Sequence, residues 1–341
     1  MVKKFVYGTP FETEAVVKEI PSSEGNPDYG TFSTENGFSF TTKLADEDMV
    51  FGLGEANRGI NKRGFLYISD CADDPNHVES KTSLYAAHNF IIISGKTHVG
   101  FFFDYPGTLR FDIGYTTSDT MTVSCENADL YVYMITGDSD LDIVKQFRGI
   151  IGRSYIAPKF AFGYGQSRWG YKTEDDFRTV VKKYRENHVP LDMVYMDIDY
   201  MQDYKDFTVN EERFPDFEGF VQDMKKEKIH LVPIIDAGVK VEEGYDIYEE
   251  GCEKGYFCRR EDGSYFEATV WPGWTHFPDV LNADARKWFG DKYDVLVSKG
   301  IDAFWNDMNE PSIFYSQEGL ADFKETAKKY VKVTRRFRTT W

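Results

Sequence analysis

The residues best placed to do chemistry lie near the end of the chain, in Trp305-Asn306-Asp307-Met308-Asn309-Glu310-Pro311. Ala303, Phe304 and Trp305 form a short apolar run that suits the end of a buried strand. Polar Asn306, Asp307, Asn309 and Glu310 follow, and Pro311, which has no N–H to donate, stops the strand. A dry strand ending in an acid is how a (β/α) barrel presents a carboxylate at its C-terminal face. Two earlier apolar runs end the same way: residues 193–196 lead into Asp197, and residues 231–235 lead into Asp236. Repeated at the same place in successive units, these acids would converge on one cleft. Carboxyl groups facing one another across a cleft can serve as nucleophile and general acid in hydrolysis. A divalent-metal hydrolase is a weaker alternative, because the six histidines are dispersed along the chain. The plainer alternative for each aspartate is a helix N-cap, a common use of Asp after a strand.

The string around Asp307 resembles the nucleophile motif of glycoside hydrolase family 31, the family of α-glucosidases and α-xylosidases. The resemblance implies that Asp307 is the nucleophile. It implies that Asp197, in Tyr195-Met196-Asp197-Ile198-Asp199-Tyr200, binds sugar hydroxyls, with Ile198 facing the neighbouring subsite. Asp236 resembles an acid of the pocket or of the layer just behind it. Trp271, in Val270-Trp271-Pro272-Gly273, and Trp305 would wall the pocket. Trp169, in Ser167-Arg168-Trp169-Gly170-Tyr171, would shape linkage preference at the rim. For each tryptophan the alternative is ordinary core. Phe51-Gly52-Leu53-Gly54-Glu55 is similar to a short signature of the family's N-terminal sandwich. The polar loop 69–76 follows, and from it Asp73 would touch substrate; the alternative is a solvated acidic turn. The implied activity is retaining hydrolysis of terminal α-linked glucose from short oligosaccharides, without metal or other cofactor. An α-xylosidase, and an inactive fragment or weak sugar-binding protein, are the alternatives.

The elements that must position these residues follow from periodicity. Residues 1–137 read as an antiparallel β-sandwich, with strands at 89–94, 98–104, 109–113, 120–125 and 130–135. At 138–157 the period changes to helical, with Leu141, Val144, Phe147 and Ile151 on one face, and this helix reads as a linker. From 158 to 341 strands and helices alternate, which implies a parallel sheet. Strands are expected at 160–164, 193–196 and 231–235, and a fourth ends at Asp307. Thr173 caps one helix, with Asp176 at its third position. Phe217, Phe220, Val221 and Met224 face inward from the next. Residues 261–279 read as a large loop, with a short strand at 268–270. A doubly wound sheet would want a glycine-rich phosphate turn after its first strand, and Gln166-Ser167-Arg168-Trp169 offers none. The expected fold is a β-sandwich followed by an incomplete (β/α)8 TIM barrel, cut after about the fourth strand–helix unit, since 158–341 falls short of the ~250 residues of a full barrel. The acid/base aspartate that the resemblance implies beyond the nucleophile would then be missing.

Composition sets the outer bounds. With 28 Phe, 22 Tyr and 6 Trp, the chain can fill two cores and still spare rings for stacking on sugars. A net charge of −17 argues against nucleic acid or an anionic membrane as partner, because both call for a basic surface. The four cysteines lack metal-ligand spacing and fit free thiols in a reducing cytoplasm. The N-terminus shows no apolar core of a signal peptide. Oligomeric state is left open.

Overall fold

The computed structural model describes residues 1–71 and 74–317. The chain forms two compact units, Met1–Ile156 and Ala157–Trp341. The first is built on ten strands: β1 (Val2–Tyr7), β2 (Thr31–Ser33), β3 (Phe38–Lys43), β4 (Met49–Gly52), β5 (Phe65–Ser69), β6 (Phe90–Ser94), β7 (His98–Asp104), β8 (Leu109–Ile113), β9 (Thr120–Cys125) and β10 (Leu130–Gly137). They make two antiparallel five-stranded sheets, in the orders β1-β10-β7-β6-β4 and β2-β3-β9-β8-β5.

Alternation along the strands explains the packing. Val99, Phe101 and Phe103 of β7 join Phe38, Phe40, Phe111, Val132 and Met134 in the core of the sandwich. The in-between residues of β10, Tyr131, Tyr133 and Ile135, face the opposite way and are also buried. What covers them is α1 (Asp140–Ile151), whose Ile143 and Ile150 join the same cluster. Phe147 of this helix stacks on Phe90 with ring centroids 3.9 Å apart. Gly100 lets the helix approach, since a Cβ there would lie 2.5 Å from Ile143 Cγ2. The helix expected as a linker is therefore a covering layer of the first unit, and the chain divides after it, at Ile156. Ile143→Ala is expected to cost roughly 2–5 kcal/mol, measured as a lower denaturant midpoint for the sandwich. An unchanged midpoint would return the helix to a connector.

The second unit has a parallel sheet in the order β11-β12-β13-β17, made of β11 (Gly165–Gln166), β12 (Met193–Met196), β13 (His230–Asp236) and β17 (Trp305–Asp307). Helices α2 (Glu174–Glu186) and α3 (Phe217–Lys226) connect its first three strands. Thr173 and Asp176 form the reciprocal capping pair at the start of α2. Phe177 and Val181 of α2 pack with Phe217, Phe220, Val221 and Met224 of α3 and with Leu231, Ile234 and Ile235 of β13.

Two expectations fail in this unit. Residues Lys159–Phe162 form a 3-10 turn rather than a strand, closed by Gly163 N–H donating to the Phe160 carbonyl at 2.8 Å. Pairing with β12 starts only at Gly165, opposite Met193. Residues 261–279 are not one loop: the short strand expected at 268–270 is present, and it forms one arm of an antiparallel hairpin, which extends into a second small sheet described below. α4 (Asp246–Lys254) precedes them, and α5 (Ala283–Lys292) and α6 (Asp294–Val297) lie between them and β17. Among the described residues, no helix is long and apolar enough to cross a membrane.

Candidate active site

The parallel register brings the candidate acids together. Asp236, the last residue of β13, pairs directly with Asp307, the last residue of β17. Adjacent residues in register project to the same face of a sheet. Met196 pairs with Pro233, so Asp197, one residue on, belongs to that face as well. All three carboxyl groups thus stand at the C-terminal end of the parallel strands.

Their environments differ. Asp236 is wholly buried, and neither of its side-chain oxygens has a hydrogen-bond partner among the described residues. Burial first, then the charges of Asp307 and Asp197, push its carboxyl up to about 7. Asp197 is raised by burial, then by Asp199 and Asp307, against the lowering effect of a bond from Ile198 N–H. That N–H donates to Asp197 Oδ1 at 2.7 Å, so Asp197 caps the short turn Ile198–Tyr200 while also feeling Asp307. Asp307 is half-buried and caps no helix among the described residues.

Met308 follows directly, in the left-handed region at φ 57°. For a residue with a side chain this costs on the order of 1 kcal/mol or more. Packing with Ala268, Val270 and Phe277 holds it there. The chain then runs to β18 (Tyr315–Ser316), which pairs with β15 (Glu267–Val270); β15 pairs in turn with β16 (Gly273–His276), and β16 with β14 (Val239–Lys240). Phe314 N–H donates to the Thr269 carbonyl at 2.9 Å. The hairpin that carries Trp271 is therefore fastened to the segment leaving Asp307. Trp271 sits in its turn, 49% exposed, with its ring edge-on to Phe314 at 5.0 Å.

The other named residues fall as follows. Trp305 is half-buried, edge-on to Tyr195 of β12 at 6.1 Å, and both rings belong to the strands that end in Asp307 and Asp197. Trp169 lies in the loop after β11 and is 64% exposed. Ile198, expected to face substrate, is instead 3% exposed and packed in the core, because its place in the 3-10 turn points it inward. Asp73 lies outside the described residues. Sequence reasoning missed Asp206, whose Oδ1 accepts the Asp236 N–H at 2.9 Å. The partner is a backbone group 30 residues away, which no local pattern reports. Among the described residues, no group of three or more His, Cys, Asp or Glu side chains is arranged to hold a metal ion.

A β-sandwich thus precedes a unit whose parallel strands end in clustered carboxylates. Residues 154–337 match the glycosyl hydrolases family 31 TIM-barrel domain, and residues 11–112 match the glycosyl hydrolase 31 N-terminal galactose mutarotase-like domain. The chain belongs to glycoside hydrolase family 31. It is 38% identical over 277 residues to alpha-glucosidase 2 of Bacillus thermoamyloliquefaciens, covering 80% of this chain and 35% of that protein. It is 28% identical over 318 residues to an alpha-glucosidase of Saccharolobus solfataricus, covering 92% of this chain and 46% of the relative. The solved family 31 alpha-glucosidase of Bacteroides thetaiotaomicron superposes with a TM-score of 0.75 at 26% identity, over 84% of this chain and 49% of that one. The chain thus spans about a third to a half of the length of these relatives.

Proposed function

We propose that this chain carries the nucleophile half of a retaining α-glucosidase site. The observation that carries the reading is the pairing of Asp236 with Asp307 at the strand ends, with Asp197 close enough to bias Asp236 electrostatically. Asp307 attacks the anomeric carbon as a carboxylate. The bond to the leaving group breaks, a fluoride departing as the anion and an alcohol taking the proton of a general-acid carboxyl, and a β-linked glycosyl ester forms on Asp307. Water then releases the sugar with its original configuration. Asp197 and Asp236 accept hydroxyls of the bound glucose, where a wrong epimer would leave a buried oxygen unpaired. Trp305 and Trp271 supply apolar walls, and Trp169 stands at the rim. No cofactor takes part, so chelators should leave the rate unchanged. The substrate is a short oligosaccharide, and neither nucleic acid nor membrane is a partner. The four unpaired thiols support a cytoplasmic setting.

The test is selectivity with α-glycosyl fluorides. Fluoride leaves without protonation, so it reads the nucleophile whichever carboxyl protonates a natural leaving group. The α-glucosyl donor is expected to react at least ~10-fold faster than the α-galactosyl or α-xylosyl donor, the discrimination one unpaired polar contact provides. Equal rates would refute the hydroxyl-ligand roles, and a faster xylosyl donor would make the site an α-xylosidase. In a form that turns over disaccharides, Trp169→Tyr should change the ratio of rates on different linkages more than the rate on the fluoride. Equal losses on both would remove Trp169 from the rim.

A further inference from the structure

Asp206 is 1% exposed and lies in the loop between the Ile198–Tyr200 turn and α3. Its Oδ1 accepts the backbone N–H of Asp236 at 2.9 Å, and its backbone carbonyl accepts the Tyr245 hydroxyl at 2.8 Å. Its Oδ2 is buried without a hydrogen-bond partner among the described residues. The titratable groups facing it are Asp236 from β13, Tyr200 from the 3-10 turn, Tyr245 ahead of α4 and Tyr293 at the end of α5. None is a cation. Lys205, its neighbour in sequence, is engaged with Glu242 at 2.6 Å. A carboxylate buried beside a second acid, with no counter-charge, is too costly to persist in its charged form.

We infer that Asp206 is a positioning residue for the site: its buried carboxyl fixes the end of β13 by accepting the Asp236 N–H, and it does so as the uncharged acid. A charged Asp206 would add a negative group beside Asp236, which already feels Asp307 and Asp197. The uncharged acid supplies the same acceptor without that repulsion. It sets where Asp236 stands and leaves Asp236 free to titrate. The inference rests on the reading of Asp236 as a sugar ligand only in its rate consequence.

The test uses the full chain with 13Cγ-labelled aspartate, the Asp236 signal being assigned by its loss in Asp236→Asn. Asp206→Asn keeps the acceptor and adds no charge. Its Asp236 midpoint is expected within ~0.5 pH unit of the parent, and its reaction with α-glucosyl fluoride within ~3-fold. Asp206→Leu strands a buried N–H, and its reaction is expected to fall roughly 10–100-fold, the size of one lost buried bond. A charged Asp206 would instead make Asp206→Asn lower the Asp236 midpoint by about a unit or more, which overturns the inference. Equal losses in the Asn and Leu variants, or none in Leu, overturn it too. If Asp206→Leu does not fold, the Asn midpoint decides. A parent chain that does not react with the fluoride would refute the glucosidase reading, and the midpoint would still decide on Asp206.

Discussion

Asp307→Ala is expected to abolish reaction with α-glucosyl fluoride, by at least ~10⁴-fold, while changing the affinity for bound glucose by no more than ~10-fold. The asymmetry follows from when the nucleophile acts. Its bond to the anomeric carbon exists only in the transition state and the intermediate, so removing it spares ground-state binding. Steady-state fluoride release and calorimetric binding measure the two effects separately. Sodium azide, small enough to enter the space left by the carboxylate, is expected to displace fluoride in the variant and yield the β-glucosyl azide. Reaction retained in Asp307→Ala would move the nucleophile elsewhere. Affinity lost in step with rate would make Asp307 a binding group.

Asp236→Asn is expected to stabilise the second unit, and only at higher pH. The carboxyl is pushed up to about 7 in the fold from an ordinary value of 3.8. Between those values the folded state holds a proton that the unfolded state has lost, so stability falls as pH rises. The contribution is intact below about pH 4 and fully lost above about pH 7. A shift of about three units corresponds to roughly 4 kcal/mol at pH 8. For a unit of this size that is about 8–16 °C in melting temperature. Asparagine fits the same space without the titration, so the gain should vanish near pH 4. It should come with weaker sugar binding, the usual exchange of stability for function at a site. A stabilisation independent of pH would show that Asp236 does not titrate in the fold as proposed.

Much of this architecture is legible in the residues. The sandwich strands show because Val, Ile, Phe and Thr recur in runs bounded by turns. The run 130–135 also held an unused signal, since every position in it is apolar or aromatic. A strand buried on one face alternates, whereas one buried on both does not, and α1 covers the second face. The strand-to-acid pattern placed Asp197 and Asp236 correctly in sequence, and their common face follows from strand register. Of the sheet around Trp271 only the strand at 268–270 was legible, because the strands are two to four residues long and depend on distant partners, such as Thr269 with Tyr315. Short strands carry too few residues for a period to appear. Ile198 misled because a residue following a site aspartate invites a site role. The tight turn that it enters reverses its side chain into the core. Asp206 gave no signal at all, being one acid among 57 acidic residues with its partner in another element.

The central claim is that Asp307 is the atom-donating nucleophile of this chain. It is tested most directly by trapping the intermediate with 5-fluoro-α-D-glucosyl fluoride, whose second fluorine slows hydrolysis of the ester, and mapping the adduct by peptide mass spectrometry. One added fluoroglucosyl group per chain is expected, on the peptide containing Asp307, with fragmentation placing it on that carboxyl. An adduct on Asp236, Asp197 or Glu310 instead, or a chain that remains unmodified while binding glucose, would contradict it.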